Sequence, residues 1–504
     1  MRRAARVLLP LAGVLALLGG CARSKGAVRP NVEPETWVFV QGALDTVNHR
    51  VRLHWFGSDP DGDVVAYELR FRPRTPGAPI DSSWVRVASS GPNGHDSLFT
   101  VPTPTGLDSV VFEVRAVDDD GALDPTPATQ GFTLSNAAAT VVVRSGPSAG
   151  DTTFASVTLD LAVHDPDGDP TRATIRAWLN DGATGTDVIG QGEYTVPSAR
   201  FRLPGGGWFA GRCTLHLQAV DDGGRAGPVT QVVWPVRAPW TNLDPSVRKV
   251  LLIDDAPSGS PGNFGLDTLY ANTLARNAAP GSYSILRLQF STPFRSSRDV
   301  AQTLRLFDAV VWYRGDTGTY TGLGSPGPGV GLLQAHQDTI AAWVEGGGRF
   351  FLECMNPIDD PQGQDGFSRG PLRREFLDRW AASDSFRTFF RGLDLSVAWG
   401  SSNGGFYRSS KFGIGVRTPV LLQTIGIRAF AVRDTNDVAF WARPGALNPA
   451  NAEDLAVGTS RRVGAGRVML MTYPVRFNNP TYSSTAEVLR RMLYDPAHGI
   501  LAAP

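Results

Sequence analysis

Cysteine and net charge are both scarce. Three cysteines, Cys21, Cys213 and Cys354, serve 504 residues. A disulfide framework needs an even, closely spaced set, so none is supported here. Lys and Arg together number 48 and Asp and Glu 48. That balance provides no basic surface for nucleic acid. Without Arg2, Arg3 and Arg6 the count is 45 against 48, a net charge near −3. Long helices are disfavoured by 56 Gly and 37 Pro, a load that suits loop-rich β structure. The chain also exceeds one core, because single cores stop growing near about 250–300 residues.

The first twenty residues carry the most specific local signal. "MRRAAR" is a basic opening, and "VLLPLAGVLALLGG" is an apolar stretch too short to span a bilayer stably. It ends in Leu18-Gly19-Gly20-Cys21, which resembles the bacterial lipobox. The resemblance implies a signal peptide over 1–20, cleavage before Cys21 and acyl chains on that residue. Several chains on one residue meet the requirement for stable anchoring. Ala22 follows in place of the inner-membrane retention Asp, so the resemblance points to the outer membrane. Residues 21–36 read as a polar tether.

The chain repeats itself at a spacing of about a hundred residues. "VRLHWFGSDPDGD" (51–63) matches "VTLDLAVHDPDGD" (157–169), and "FEVRAVDDDG" (112–121) matches "LHLQAVDDGG" (215–224). Val51, Leu53 and Trp55 share one strand face, as do Val157, Leu159 and Leu161. Phe112, Val114 and Ala116 alternate inward, as do Leu215, Leu217 and Ala219. Short alternating strands between Gly, Pro and Asp turns predict two successive β-sandwiches, over 37–136 and 137–239. The first unit resembles a fibronectin type III-like or related immunoglobulin-like module. Trp55 stands for the strand-B core tryptophan and Tyr67 for the strand-C aromatic. Phe112 replaces the usual strand-F tyrosine, and the second unit lacks both the Trp and the Tyr.

In such sandwiches the B–C and F–G loops lie at one end. Asp59, Asp61 and Asp63 then approach Asp118, Asp119 and Asp120, and convergent carboxylates suit calcium. The spacing is not that of an EF-hand. The commoner alternative is a solvated Asp-Gly turn whose side chains bond the local backbone. Calcium is the one cofactor the sequence offers; otherwise none is expected.

After Pro239 the pattern changes. "KVLLIDD" (249–255) and "FDAVVWYRGD" (307–316) are continuous apolar runs, as strands buried on both faces require. The stretches 266–277, 332–348 and 484–495 are helical, the middle one closed by glycines. This alternation predicts an α/β domain over 247–504, doubly wound and flavodoxin-like. "LLIDD", "FDAVVWYRGD", "AAWVEGGGRFFLE" and "GRVMLMTYPVRF" together resemble the class I glutamine amidotransferase-like superfamily. The resemblance covers about 249–357 and 455–495, with an atypical insertion over 358–454.

That family's nucleophile sits in a Gly-x-Cys-x-Gly elbow, because glycine permits the strained turn. Cys354 occupies the position, yet Leu352 and Asn356 replace both glycines. Glu353 beside it opposes a thiolate. Tyr473-Pro474-Val475 stands where the family has His-Pro-Glu, and neither His336 nor His498 matches the motif. A nucleophile without a positioned base supports covalent catalysis weakly. Ligands of open α/β sheets bind outside the carboxyl ends of the strands. Asp254, Asp255, Arg314, Asp316 and Asn356 are the crevice residues this places there. The expectation is therefore a cell-envelope lipoprotein that binds or scaffolds a protein or glycan. Its alternative is a cysteine-dependent hydrolase or amidotransferase-like enzyme using Cys354.

Overall fold

A computed structural model describes residues 30–40, 47–74, 80–91, 94–180, 185–255, 266–288, 294, 296–315 and 328–354. It also describes short stretches between 358 and 443, then 455–472 and 485–502. The chain forms two compact units. One holds the chain to Ala139 with Asp165–Arg172 and Val220–Gly227; the other holds Thr140–His164, Ala173–Ala219 and Pro228–Pro504.

In the first unit, a three-stranded sheet orders Glu35–Val40, Arg50–Ser58 and His95–Thr100. Its partner sheet orders Val47–Asn48, Ala128–Ser135, Leu107–Asp118, Val64–Pro73 and Val85–Ala88. This is a sandwich with the strand order of a fibronectin type III-like module. The period-2 pattern sorts the strands as expected: Val51, Leu53, Trp55, Phe112, Val114 and Ala116 are all buried in one core. Trp55 meets Tyr67 edge-on, with ring centroids 6.3 Å apart. The Tyr67 hydroxyl, sealed in that core, accepts from Gly57 N at 2.8 Å.

The second module repeats the arrangement. Gly192–Val196, Val157–His164 and Thr140–Ser145 form one sheet; Thr186–Ile189, Thr174–Leu179, Gly211–Val220 and Ala226–Val236 form the other. Cys213 is packed in this module as a fully buried free thiol, pushed up to about 12 by burial. Val157–His164 is buried on both faces, not one. Helix Ser297–Leu304 lies against this strand. Phe154 also meets Phe307 edge-on at 5.4 Å, and Trp240 Nε1 donates to Leu306 O at 2.7 Å. These contacts make one compact unit of two segments that the sequence separates at 239 and 247.

The C-terminal segment forms a sheet with parallel neighbours in the order Tyr283–Arg287, Val250–Asp254, Ala309–Gly315, Arg349–Cys354, Gly466–Met471. Alternate side chains go to opposite faces. Val250, Leu252, Val311, Tyr313 and Phe351 pack with Tyr270, Leu274, Val488 and Met492, from helices Leu266–Asn277 and Thr485–Tyr494. Ile253, Val310, Trp312 and Phe350 meet Val300, Leu304 and Ile340, from helices Ser297–Leu304 and Pro328–Glu345. Both faces are thus covered, which is why these strands read as unbroken apolar runs. The helix before Arg349 stops where Gly347 takes φ +119°, a left-handed cap that other residues adopt poorly. The 358–454 segment continues the sheet with antiparallel strands. Leu455–Val463 pairs with Gly466–Met471, and Val438–Arg443 and Phe406–Ser409 follow outward.

Candidate functional site

Two places deserve the name: the carboxyl ends of the parallel strands and the acidic turns of the sandwiches. At the strand ends, Asp254, Asp255, Arg314, Glu353 and Cys354 are all buried. Arg314 Nη1 lies 3.3 Å from Asp255 Oδ2, and Trp312 Nε1 donates to the same oxygen at 3.1 Å. Arg287 Nε stands 3.7 Å from Asp254 Oδ2. Of the predicted crevice residues, Asp255 and Arg314 thus pair with each other inside the domain, while Asp254 faces the exposed Arg287. A ligand would reach Asp255 only by breaking an enclosed pair. Asp316 and Asn356, the other two crevice residues, lie outside the described residues.

Glu353 and Cys354 are adjacent on a strand, so their side chains leave opposite faces. The Glu353 carboxylate accepts from Tyr270 OH at 2.6 Å, and Tyr270 stacks on Tyr313 with centroids 4.5 Å apart. The Glu353 carboxylate therefore bonds on the face opposite to that of the Cys354 side chain. Cys354 shares the face of Phe350, which packs towards the helix carrying His336. His336 Nδ1 is paired with Ser297 Oγ at 2.9 Å, and burial lowers the imidazole's pKa. His498 sits with Lys411, Arg462 and Arg467, and Arg467 opens strand Gly466–Met471. That is the starting end of the parallel strands, opposite to Cys354. Tyr473, Pro474 and Val475 lie outside the described residues, as does Cys21.

The first acidic turn brings together most of its predicted members. Asp119 Oδ1 accepts from Asp63 N at 3.0 Å. Asp59 and Asp119 both crowd the position where a Cβ on Gly62 would stand, so a larger residue there must push their carboxylates aside. Burial first, then Asp61 and Asp118, hold Asp59 above the usual carboxylate range. Against its own burial, Asp118 is held below that range by the Asn31 amide, at 2.6 Å, and by the N–H groups of its turn. Asp61 accepts from Val32 N at 3.2 Å. Asp61, Asp63, Asp119 and Asp120 remain solvent-exposed.

The second turn has the same parts, which the sequence reading passed over. Gly168 lies between Asp165 and Asp222 as Gly62 lies between Asp59 and Asp119. Asn136 Nδ2 donates to Asp221 Oδ1 at 3.2 Å and Ala137 N to Asp167 Oδ2 at 2.9 Å. Asn136 thus repeats Asn31, a match visible in the sequence only after the turns are aligned. This turn is the more enclosed of the two, with Asn136 and Asp221 buried. Among the described residues no three His, Cys, Asp or Glu side chains stand in a ready metal-ligand set.

No protein-family profile matches the chain, and no curated protein matches it. Similar solved structures include the fibronectin(III)-like modules of Clostridium thermocellum CbhA. These are 12% identical, covering 40% of this chain and 94% of that one, with a TM-score of 0.19. Chicken CNTN1 FN1–FN3 domains are 12% identical over 41% of this chain and 66% of that one, with a TM-score of 0.18. A 1.5-MDa bacterial ice-binding adhesin is 15% identical over 42% and 67%, with a TM-score of 0.17. At such scores these likenesses decide nothing about function.

Proposed function

We propose that this chain is an exported lipoprotein, held at the outer membrane by acyl chains on Cys21, with a binding or scaffolding role. Its tandem fibronectin type III-like modules serve as stalk or binding arm for a protein or glycan partner. The C-terminal domain is read as doubly wound, flavodoxin-like and amidotransferase-like without catalysis. The parallel strand order, 2-1-3-4-5 in sequence numbering, supports that reading. The observation that carries the binding role is the pair of tandem sandwiches, while the enclosed Asp255–Arg314 pair supports the reading without catalysis. Asp59, Asp61 and Asp118, with Asp63, Asp119 and Asp120, are a proposed calcium site in the first module.

One observation favours the enzymatic alternative. Cys354 ends a central parallel strand, where a nucleophile belongs. Fractionation of cells producing wild type, Cys21→Ala and Cys354→Ser tests both readings. Wild type is expected in the membrane fraction, Cys21→Ala in the soluble fraction, and Cys354→Ser unchanged in partner capture. A soluble wild type would refute the anchor, and capture lost in Cys354→Ser would favour the enzyme.

A further inference from the structure

The second acidic turn is built from side chains that each use one oxygen on the fold and leave another without a partner. Asp165 Oδ1 accepts from Gly168 N at 2.9 Å and Asp167 N at 3.3 Å, while its Oδ2 is sealed with no hydrogen bond. Asp167 Oδ2 takes Ala137 N, and its Oδ1 has none. Asp221 Oδ1 accepts from Arg225 N at 2.8 Å, and its Oδ2 has none. Asp222 Oδ1 meets His49 Nε2 at 2.8 Å, while its Oδ2 has only Arg50 Nε at 3.9 Å, beyond hydrogen-bond range. Asn136 donates to Thr103 O at 3.2 Å and to Asp221, and its own Oδ1 has no partner. Asp221 is 5% exposed and Asn136 1%.

Enclosed oxygens without partners are costly, and native proteins keep few of them. Here five belong to one pair of loops and its flanking asparagine. Asp165 and Asp222 meet over Gly168, in the space a Cβ would fill. Two arginines and a histidine lie nearby without hydrogen-bonding these five oxygens. Arg225 spends its guanidinium on Asn136 O, Arg50 stands at 3.9–4.0 Å from Asp222 and Asp169, and His49 meets one oxygen of Asp222.

We propose that Asp165, Asp167, Asp221, Asp222 and Asn136 form a calcium site in the first compact unit. This site is independent of the envelope reading and distinct from the turn at Asp59. Calcium takes six to eight oxygens in adaptable geometry, and four carboxylates from two loops with the flanking Asn136 supply most of them, water completing the shell. Magnesium demands a near-ideal octahedron that such loops do not offer. In the first turn Asp119 is exposed and Asp118 is bonded on both oxygens, so the second turn is the tighter site.

Titration of the chelator-treated full chain with calcium chloride, followed by calorimetry and by thermal melting, tests the site. Extracellular calcium modules bind at roughly 10⁻⁴–10⁻³ M, which sets the range to cover. Wild type is expected to bind in that range or tighter, and to melt higher with calcium than with chelator. Asp165→Asn/Asp167→Asn keeps one acceptor oxygen on each side chain for the N–H groups of the fold and is expected to weaken this binding event at least about tenfold. Gly168→Ala fills the cradle and reports the same loss if the first variant fails to fold. Asp59→Asn/Asp61→Asn is expected to retain it. No calcium-dependent heat or melting shift in wild type would overturn the proposal. So would wild-type affinity in both second-turn variants, or an equal melting shift with magnesium.

Discussion

Replacing Arg314 by methionine perturbs the enclosed strand ends most cleanly. Arg314 and Asp255 are each 2% exposed, and the guanidinium is 3.3 Å from the carboxylate. Methionine fills much of the volume but removes the guanidinium that faces Asp255. Breaking a buried pair on one side costs about 3–5 kcal/mol, because the remaining charge stays out of water. A domain of this size loses roughly 2–4 °C per kcal/mol, so melting should fall by about 6–20 °C. The double variant Asp255→Leu/Arg314→Met removes the stranded charge and should recover part of that loss. Calorimetry or circular dichroism melting of wild type, both single variants and the double closes the cycle. A single-variant loss under about 1 kcal/mol, or additive losses, would refute an enclosed pair and reopen the crevice to ligands.

Three further outcomes follow from local geometry. Glu487 is lowered from 4.5 to about 2, chiefly by Arg490 and then by Arg491. Its stabilisation is present above about pH 4.5 and lost as pH falls towards 2. With the side chain about a third exposed, solvent screening keeps this below about 1 kcal/mol. Glu487→Gln should therefore cost that little at pH 7 and nothing at pH 2, read by denaturant melts. Cys213, pushed up to about 12 in its core, should resist alkylation in the folded chain at pH 8 and react after denaturation; folded-state labelling would contradict its burial. Gly466→Ala drives a Cβ into Val344 O and Gly348 O, which are backbone atoms that cannot swing aside. It should cost about 1–3 kcal/mol or more in a denaturant melt; a neutral result would dispute the register of that strand.

The sandwich strands were legible because alternation is a local signal. Val51, Leu53 and Trp55 were assigned to one face, and that face is the core. The parallel strands were legible for the opposite reason, since Val250 to Asp254 are buried without interruption. What escaped depends on distant parts of the chain. The helix that lies against Val157–His164 comes some 140 residues later, and no period in the strand announces it. The sequence also could not give the 358–454 segment its role of continuing the sheet, because its strands pair antiparallel across long separations. Asp254, Asp255 and Arg314 were placed at the correct strand ends, but their burial and pairing belong to tertiary packing. The second acidic turn was in view as "HDPDGD" and "AVDDGG". The missing link was Asn136, whose equivalence to Asn31 shows only once both asparagines are seen to bond matching aspartates.

Whether the C-terminal domain is a binding body or an enzyme turns on Cys354. Time-resolved labelling of the folded full chain with a thiol-reactive probe at pH 7, read by mass spectrometry at that residue, measures this directly. Cys354, a thiol 3% exposed, should stay unlabelled until the chain is denatured. Rapid, stoichiometric labelling of Cys354 in the folded chain would contradict it.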